Sequence, residues 1–512
     1  MRTIEKNLVA LSGIHMKIVR SLLSLFFFLS LLVSSAQSIQ FKQSIGGPYP
    51  DYGYCARQTY DNGYIAVGSA SSSTTGNADM FVVKTDSNGI VIWRKQFGSP
   101  NIEIARWVEE TSDSSLIIVG YTNNTGGKGY DIDLLKLDRW GEKIWEKMIG
   151  GPDWEFAYSV HPTTDGGYII AGGTYSYGKG NEDAYLVKTD GNGDTLWTKT
   201  YGGGEDDEAR SVKQTSDGGF ILTGSTKSFA DAIGDVYLIK TNASGDTVWT
   251  KTYGGAKADI ANDVIECMDG NFALCGATES YHTKGPDFYL LKIQQIDGAP
   301  IWTSWDGRDT AYDALQSIVE LKNGYLASIG IRYGAGGGGT DGYLFITDAL
   351  GNWQDGPTYG TGGNDECYSV AKTRDNGFII CGNTDSTNFG YASPNLFLVK
   401  VDSTGHLNNK LKFYLSSKIN SAVISSLEAF PNPFSENTRL LIHSTVEIRS
   451  TELSLKATDI SGRSCAIDYN VLSSQTNRIE LELHKNNLTP GIYFLRYYFR
   501  NQPVGVSKIV VE

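Results

Sequence analysis

Acidic side chains recur along this chain at a near-constant interval. One series is Asp51, Glu103, Glu155, Asp207, Asp259, Asp313 and Asp365. A second is Asp79, Asp131, Asp183, Asp235, Asp287 and Asp341, with Asn395 in the last place. If the chain closes into a ring, the first series becomes a circle of carboxylates at a channel mouth. Such a circle attracts a cation, calcium being the candidate, or a polycationic ligand. The same residues also suit a turn, where a carboxylate accepts backbone N–H bonds and recurs because the turn recurs. Repetition in every copy favours the turn. General acid/base work needs two carboxylates in unlike environments, which identical copies do not supply. A second set of candidates is aromatic: Tyr175, Tyr177, Phe229, Tyr281, Tyr333, Phe389 and Tyr391 stand in segments that vary between copies. Variable loops on a rigid scaffold are where binding residues gather, and these rings can stack on sugars or peptides.

Other chemistries find no support. There is no Gly-x-Ser-x-Gly, no His-Glu-x-x-His and no phosphate loop. His161 and His282 have no His or Cys at metal-ligand spacing and read as ordinary surface or turn residues. The stretch Asp190-Gly191-Asn192-Gly193-Asp194 starts like a calcium loop, but Thr195 and Tyr201 stand where the EF-hand needs Gly and Glu, so it reads as a hairpin turn. Six Cys in 512 residues make no disulfide framework. Cys275 and Cys381 fall at a small core position. Cys267 with Cys275, or Cys367 with Cys381, are the pairs that could face each other across one hairpin. The net charge of −13 argues against nucleic acid as a partner.

The elements that must carry these residues follow from the repeat. A Trp stands at 93, 145, 197, 249, 302 and 353, with gaps of 52, 52, 52, 53 and 51 residues. A Lys nearby stands at 84, 136, 188, 240, 292 and 400, with Ile346 in the sixth place. Residues 39–402 make seven units of 52. Each unit holds four short runs rich in Val, Ile, Tyr, Thr and Trp, bounded by Gly, Asp or Asn. Four antiparallel strands per unit of this length describe a propeller blade. The phase is offset: Ile39–Gly47 matches the Trp-bearing strand, and Leu396–Asp402 matches the strand before it. The first strand is therefore expected to complete the last blade and remove a free sheet edge, with Gly405–Leu415 as the rival. The run after the Gly-Gly turn should line the channel, and the Trp strand should lie outermost with its indole packed between blades.

The units DGGYIIAGGT and DAYLVKTDGNGDTLWTKTYGG resemble the secreted bacterial seven-bladed β-propeller repeats. That resemblance implies the fold and says little about function. Two enzymatic propellers were compared. The sialidase box and the docking-Trp motif of quinone-dependent dehydrogenases both differ in spacing from Thr189–Trp197, and neither transfers a catalytic residue.

The ends speak of export. Residues 16–36 have a basic start, an apolar run and a small-residue end, as in a signal peptide, so residues 1–36 are assigned to it with Met16 a possible true start. Residues 403–424 read as a polar linker, and 425–512 as a small β-sandwich. Four pieces of this tail, in order, resemble the type A C-terminal sorting domain of type IX secretion substrates. They are Phe430-Pro431-Asn432-Pro433-Phe434, Asp459-Ile460-Ser461-Gly462-Arg463, Leu488–Leu495 with Gly491 and Tyr493, and Ser507–Val511. The resemblance implies two-step export, with the type IX machinery as partner, to the outside or the cell surface. The expectation is an all-β protein: a seven-bladed β-propeller followed by a small β-sandwich. It is expected to be monomeric, without cofactor, metal or transmembrane segment in its mature form, and to bind a glycan or protein rather than to catalyse. The alternatives are a carbohydrate-active hydrolase or lyase using the channel-mouth carboxylates, and a structural surface component.

Overall fold

A computed structural model describes residues 40–511 except 72–77, 124–128, 231–232, 282–284, 308–311, 335–338, 361–362, 386–393, 408–423, 431–436, 445–452, 460–463, 476–477, 486–487 and 500–501. Seven antiparallel four-strand units follow one another, and no helix occurs among the described residues. In blade 3 the strands are Glu155–Pro162, Tyr168–Thr174, Asp183–Thr189 and Thr195–Tyr201, paired in chain order. The first strands of successive blades neighbour one another around the axis, so they line the channel. Burial follows the pattern expected of such a ring. The second and third strands are buried on both faces, and the fourth is mostly exposed.

The ring closes as the phase of the repeat requires. Phe41–Ile45 pairs antiparallel with Asn395–Val401 and becomes the outer strand of blade 7. Phe41 faces Lys400 there, as Trp197 faces Lys188 in blade 3. The packing across the seam is also that of the other blades. Each outer-strand indole lies against a turn glycine of the next blade: Trp93 on Gly141, Trp145 on Gly193, Trp197 on Gly245, Trp302 on Gly351. At the seam Phe41 lies on Gly89. These glycines sit at φ between +76° and +84°, and a Cβ there would meet the ring at 2.6–2.8 Å, so the position excludes a side chain on two counts. Blade 6 departs from the pattern. Its outer strand is split into Trp353–Asp355 and Thr358–Tyr359, Trp353 is exposed, and Leu344 lies against the turn glycine, Gly405, while the Tyr359 hydroxyl donates to the Gly405 carbonyl as Tyr201 and Tyr253 do to theirs.

The recurring Lys pairs with the Asp of the turn between the first two strands and is buried in five of the six units that carry it, Lys136 in the second being half-buried and 3.3 Å from Asp113. Lys84–Asp61, Lys188–Asp165, Lys240–Asp217, Lys292–Asp269 and Lys400–Asp375 all lie at 2.8–2.9 Å. In the sixth unit Ile346 replaces the Lys and Asn323 replaces the Asp, so neither charge is left alone. Six cysteines are free thiols, five of them buried, and neither disulfide considered above forms.

The tail is a sandwich of two antiparallel sheets. One runs Ile424–Phe430, Asn437–Ser444, Arg478–His484, Asp468–Gln475; the other Ser464–Cys465, Leu453–Asp459, Gly491–Phe499, Gln502–Val511. Leu440, Ile442, Ile479, Leu481, Leu483, Leu495 and Tyr497 form its core. Of the sorting-motif residues, Pro431, Asn432, Pro433 and Gly462 lie outside the described residues. Tyr493 is buried, and its hydroxyl donates to the Thr489 carbonyl at 2.7 Å, which pins the turn that contains Gly491.

Candidate functional site

One detail of the first strand decides what faces the channel. In every blade its pairing slips after the third position, at Ala157/Ser159 in blade 3 and at the equivalent place elsewhere. The bulge leaves the fourth residue unpaired and turns it into the channel. The channel wall is therefore built in layers. At the mouth stand Tyr52, Phe156, Glu208 and Glu366 with the apolar Ile104 and Ile260. The bulge layer holds Tyr54, Arg106, Tyr158, Arg210, Asn262, Gln316 and Tyr368. In it the Arg106 guanidinium lies 4.3 Å from the Tyr54 ring and 5.7 Å from that of Tyr158, and Arg210 donates to Asn262 at 2.7 Å.

The predicted carboxylate ring is not on this wall. Asp51, Glu103, Glu155, Asp207, Asp259, Asp313 and Asp365 are all buried inside the blades. Their oxygens accept from the turn just before the strand and from the second strand. Glu155 takes the Gly151 N–H at 2.7 Å and the Thr174 hydroxyl at 2.7 Å. Asp207 takes the Gly203 N–H at 2.8 Å and Ser228 at 2.6 Å. Glu103 holds Ser99 and Thr122, Asp259 holds Gly255 and Ser280, Asp51 holds Gly47, and Asp313 holds the Tyr333 N–H. The physical reason is the period-2 alternation of a strand: the first residue faces into the blade when the second and the bulged fourth face the channel. Burial without an ion pair also holds the Asp51 carboxyl up at about 6. The Asp190 turn behaves as a hairpin, its carboxylate accepting the Asn192 and Asp194 N–H groups at 2.8 and 2.9 Å. No group of three or more His, Cys, Asp or Glu is arranged to hold a metal among the described residues.

Deeper in the channel lies a cluster that departs from the repeat. His161, read above as a surface or turn residue, belongs to it. Glu109 accepts from Arg57 at 2.9 Å and from the Trp107 indole at 2.8 Å, and lies 3.4 Å from His161 Nδ1. Lys213 Nζ is 2.6 Å from His161 Nε2 and 3.7 Å from Asp263. Asp263 in turn accepts from Ser211 at 2.7 Å and Ser317 at 3.1 Å. The Trp107 ring is held between Arg57 at 4.4 Å and Lys213 at 4.6 Å. Burial, then the two neighbouring cations, holds the His161 pKa well below its usual value, so the ring is neutral and accepts from Lys213. The nucleophile's place beyond the imidazole is thus taken by an ammonium group. This is a charge-balanced network joining blades 1 to 6, not a triad. Cys55 beside it is fully buried with its thiol pKa pushed up, hence unreactive.

The loop aromatics sort into two kinds. Tyr177, Phe229 and Tyr281 occupy one repeated position and cover the buried tyrosine of their own blade: Tyr185 at 5.9 Å, Tyr237 at 5.5 Å and Tyr289 at 5.8 Å. Tyr281 also stacks on Trp305 at 4.9 Å. Tyr333 is exposed in the sixth unit, and Phe389 and Tyr391 lie outside the described residues. Tyr175 is different. It joins a cluster at the channel mouth over blades 2 and 3 in which Tyr121, Tyr130, Trp154 and Phe156 meet at centroid distances of 5.0–6.2 Å. Tyr175 lies 5.9 Å from Trp154 and 6.4 Å from Phe156. Trp154 is 46 % exposed and Tyr175 37 %. The Tyr175 hydroxyl donates to Glu182 at 3.1 Å. Burial, and then Glu208, lifts the Glu182 carboxyl to about 7. Glu208 is itself held by Arg210 at 2.6 Å. One continuous strip of the mouth thus carries exposed rings followed by two carboxylates in unlike settings. Tyr121, Tyr130, Trp154, Phe156, Glu182 and Glu208 were not among the expected site residues. The available signal was their departure from the repeat: where Tyr121 stands, other copies have Ser69, Gly173, Ser225 and Ala277, and where Trp154 stands they have Pro50, Ile102, Asp206 and Ala258.

On the opposite face a cavity of 260 Å³ opens between blades 1 and 2, lined in part by Tyr60, Trp93, Trp140, Lys84 and Glu110. Two of its charges are already engaged, Lys84 by Asp61 and Glu110 by the Tyr60 N–H, and Arg139 lies 5.6 Å from the Trp140 ring.

Comparison with known proteins adds the address. Residues 428–512 match the family model described as the secretion system C-terminal sorting domain. This tail is a type IX sorting domain. It gives the protein an export route to the outside or the cell surface, carrying the propeller as its cargo. The regulatory protein FlaEY of Caulobacter vibrioides is 24% identical over 411 residues, 64% of this chain and 43% of that protein, so the chain spans less than half the length of this relative. Among solved structures, Sqt1 from Chaetomium thermophilum is similar at a TM-score of 0.43 with 11% identity, covering 73% of this chain and 86% of that one. PorZ of Porphyromonas gingivalis, described as a surface component of the type-IX secretion system, is similar at 0.29 with 12% identity, covering 88% and 69%. At these scores the structural likenesses carry no argument about function.

Proposed function

We propose that the exported propeller is a non-catalytic carbohydrate-binding module, with its site on the channel mouth over blades 2 to 4. The observation that carries this reading is the local break in seven-fold repetition: five clustered rings, two of them substantially exposed, run directly into Glu182, Glu208 and Arg210. Exposed Trp and Tyr faces suit the C–H faces of a sugar, and adjacent carboxylates suit its hydroxyls. The network around Trp107 and His161 fills the deeper channel, which favours a ligand lying on the mouth.

A glycan array probed with the full chain tests this. Saturable binding that is lost in Trp154→Ala and kept in Tyr333→Ala supports the reading. Binding unaffected by Trp154→Ala refutes the site. A second reading, a glycan-cleaving enzyme, draws on the unlike settings of Glu182 and Glu208, which is what an acid and its partner carboxylate need. Mass spectrometry of the same array decides between them: shortened glycans that vanish with Glu182→Gln replace the binding reading by the enzymatic one.

A further inference from the structure

We propose that the saccharide bound at Glu182 carries a free ammonium group, as in a hexosamine whose nitrogen is not acetylated. This rests on the carbohydrate reading of the mouth and names the class of sugar. Glu182 is half-buried, and its carboxylate accepts from the Tyr175 hydroxyl at 3.1 Å. The cations near it are engaged elsewhere. Arg210 is spent on Glu208 and Asn262, at 2.6 and 2.7 Å, and Lys227 on Asp206 at 2.9 Å. Arg106, one blade away, lies over the Tyr54 ring. Glu182 therefore makes no ion pair among the described residues; Glu208 and Asp206 face it with further negative charge, which Arg210 offsets only in part.

A desolvated carboxylate that its neighbours neutralise only in part is costly, and the group that offsets it best is a cation delivered by the ligand. The neighbouring surfaces select the same thing. The Tyr175 and Trp154 rings, edge to face at 5.9 Å, add a cation–π attraction that an ammonium gains and a neutral amide does not. A hydroxyl can bond to Glu182 but leaves its charge in place, and an N-acetyl group adds bulk without charge. The titration supports this geometry. With its carboxyl raised to about 7, Glu182 holds a proton for part of the time at neutral pH. The groups that face it are Tyr175 on its own blade, and Asp206, Glu208, Arg210 and Lys227 from blade 4. An ammonium arriving beside it favours the charged form, so binding below pH 6, where the ligand's amine is already charged, releases a fraction of a proton into solution.

The test is calorimetric titration of the full chain with three probes: a β-1,4-linked glucosamine hexamer, its fully N-acetylated counterpart and a β-1,4-linked glucose hexamer, each in two buffers of different ionisation enthalpy at pH 5.5, where the glucosamine amines are charged. The expected result is affinity for the glucosamine hexamer about tenfold or more above the other two, as a charge-assisted pair allows. Proton release should accompany it. In Glu182→Gln the three probes should converge and the proton release should vanish, while Trp154→Ala should weaken all three. Equal affinities in the wild-type protein, or a preference that survives Glu182→Gln, overturn this inference and leave the carbohydrate reading standing. Failure of all three probes to bind, in a chain that also binds nothing on the glycan array, overturns both.

Discussion

Blade 2 carries a buried acid where its neighbours carry a ring. Asp133 on the third strand takes the position held by Phe81, Tyr185, Tyr237, Tyr289, Tyr343 and Phe397 in the other copies. It is 2 % exposed and stands opposite Gly120 and Met148. Its Oδ1 has no hydrogen-bond partner. Burial, and then the nearby Glu146 and Glu103, raises its carboxyl from 3.8 to about 8. The sign of the linkage follows. Between those two values the folded protein holds a proton that the unfolded chain gives up, so stability falls as pH rises through the window and is flat below it. At about 1.4 kcal/mol per pH unit, the span of roughly four units sets an upper bound of about 6 kcal/mol at pH 8, and about 4 kcal/mol at pH 7. Asp133→Asn keeps the shape and removes the ionisation. The variant should match the wild type near pH 4 and then gain on it steadily, reaching a few kcal/mol by pH 8. Urea unfolding followed by tryptophan fluorescence at pH 4.5, 6, 7 and 8 measures the difference, in which other titrating groups cancel. A wild-type-to-variant gap that does not change with pH refutes the reasoning, because it means that Asp133 is ionised throughout or solvated in the folded state.

Two further outcomes follow from the repeat. Phe41→Ala should loosen the seam between blades 7 and 1 by about 3–5 kcal/mol, since it deletes the buried ring that does a tryptophan's work against Gly89; a ring-closing strand of no consequence would show little change in urea midpoint. Lys188→Ile alone should cost about 2–3 kcal/mol, below the value for a fully buried pair because Asp165 is half exposed. The double variant Lys188→Ile with Asp165→Asn reproduces the sixth unit and should recover much of that loss, which a double-mutant cycle in urea reads directly.

The architecture was legible because a repeat writes it many times. The 52-residue interval announced seven blades, and the offset between Ile39–Gly47 and Leu396–Asp402 announced which strand closes them; Phe41 against Lys400 and Gly89 is that offset made physical. The same repetition misled where the site was concerned. Carboxylates present in every copy drew attention, yet a feature present in every copy serves what every copy needs, here the turn that Glu155 and Asp207 hold closed. Which residues face the channel depends on the bulge after the third position of each inner strand, and alternation of residue types does not reveal a bulge. That is why His161 and Trp107 were not expected in the channel. The mouth cluster was hidden for another reason. Tyr121, Tyr130, Trp154 and Tyr175 come from different strands and connections of two blades, and only the packing of blade 3 against blade 2 brings them within 6 Å or so of one another. Their trace in the sequence is negative, a set of places where one copy fails to match the rest. In a repeat protein the shared residues carry the fold, and the residues free to specialise are those that each copy holds alone. Function is therefore to be sought by subtracting the repeat, and what remains at this channel mouth is aromatic surface ending in a carboxylate that makes no ion pair among the described residues.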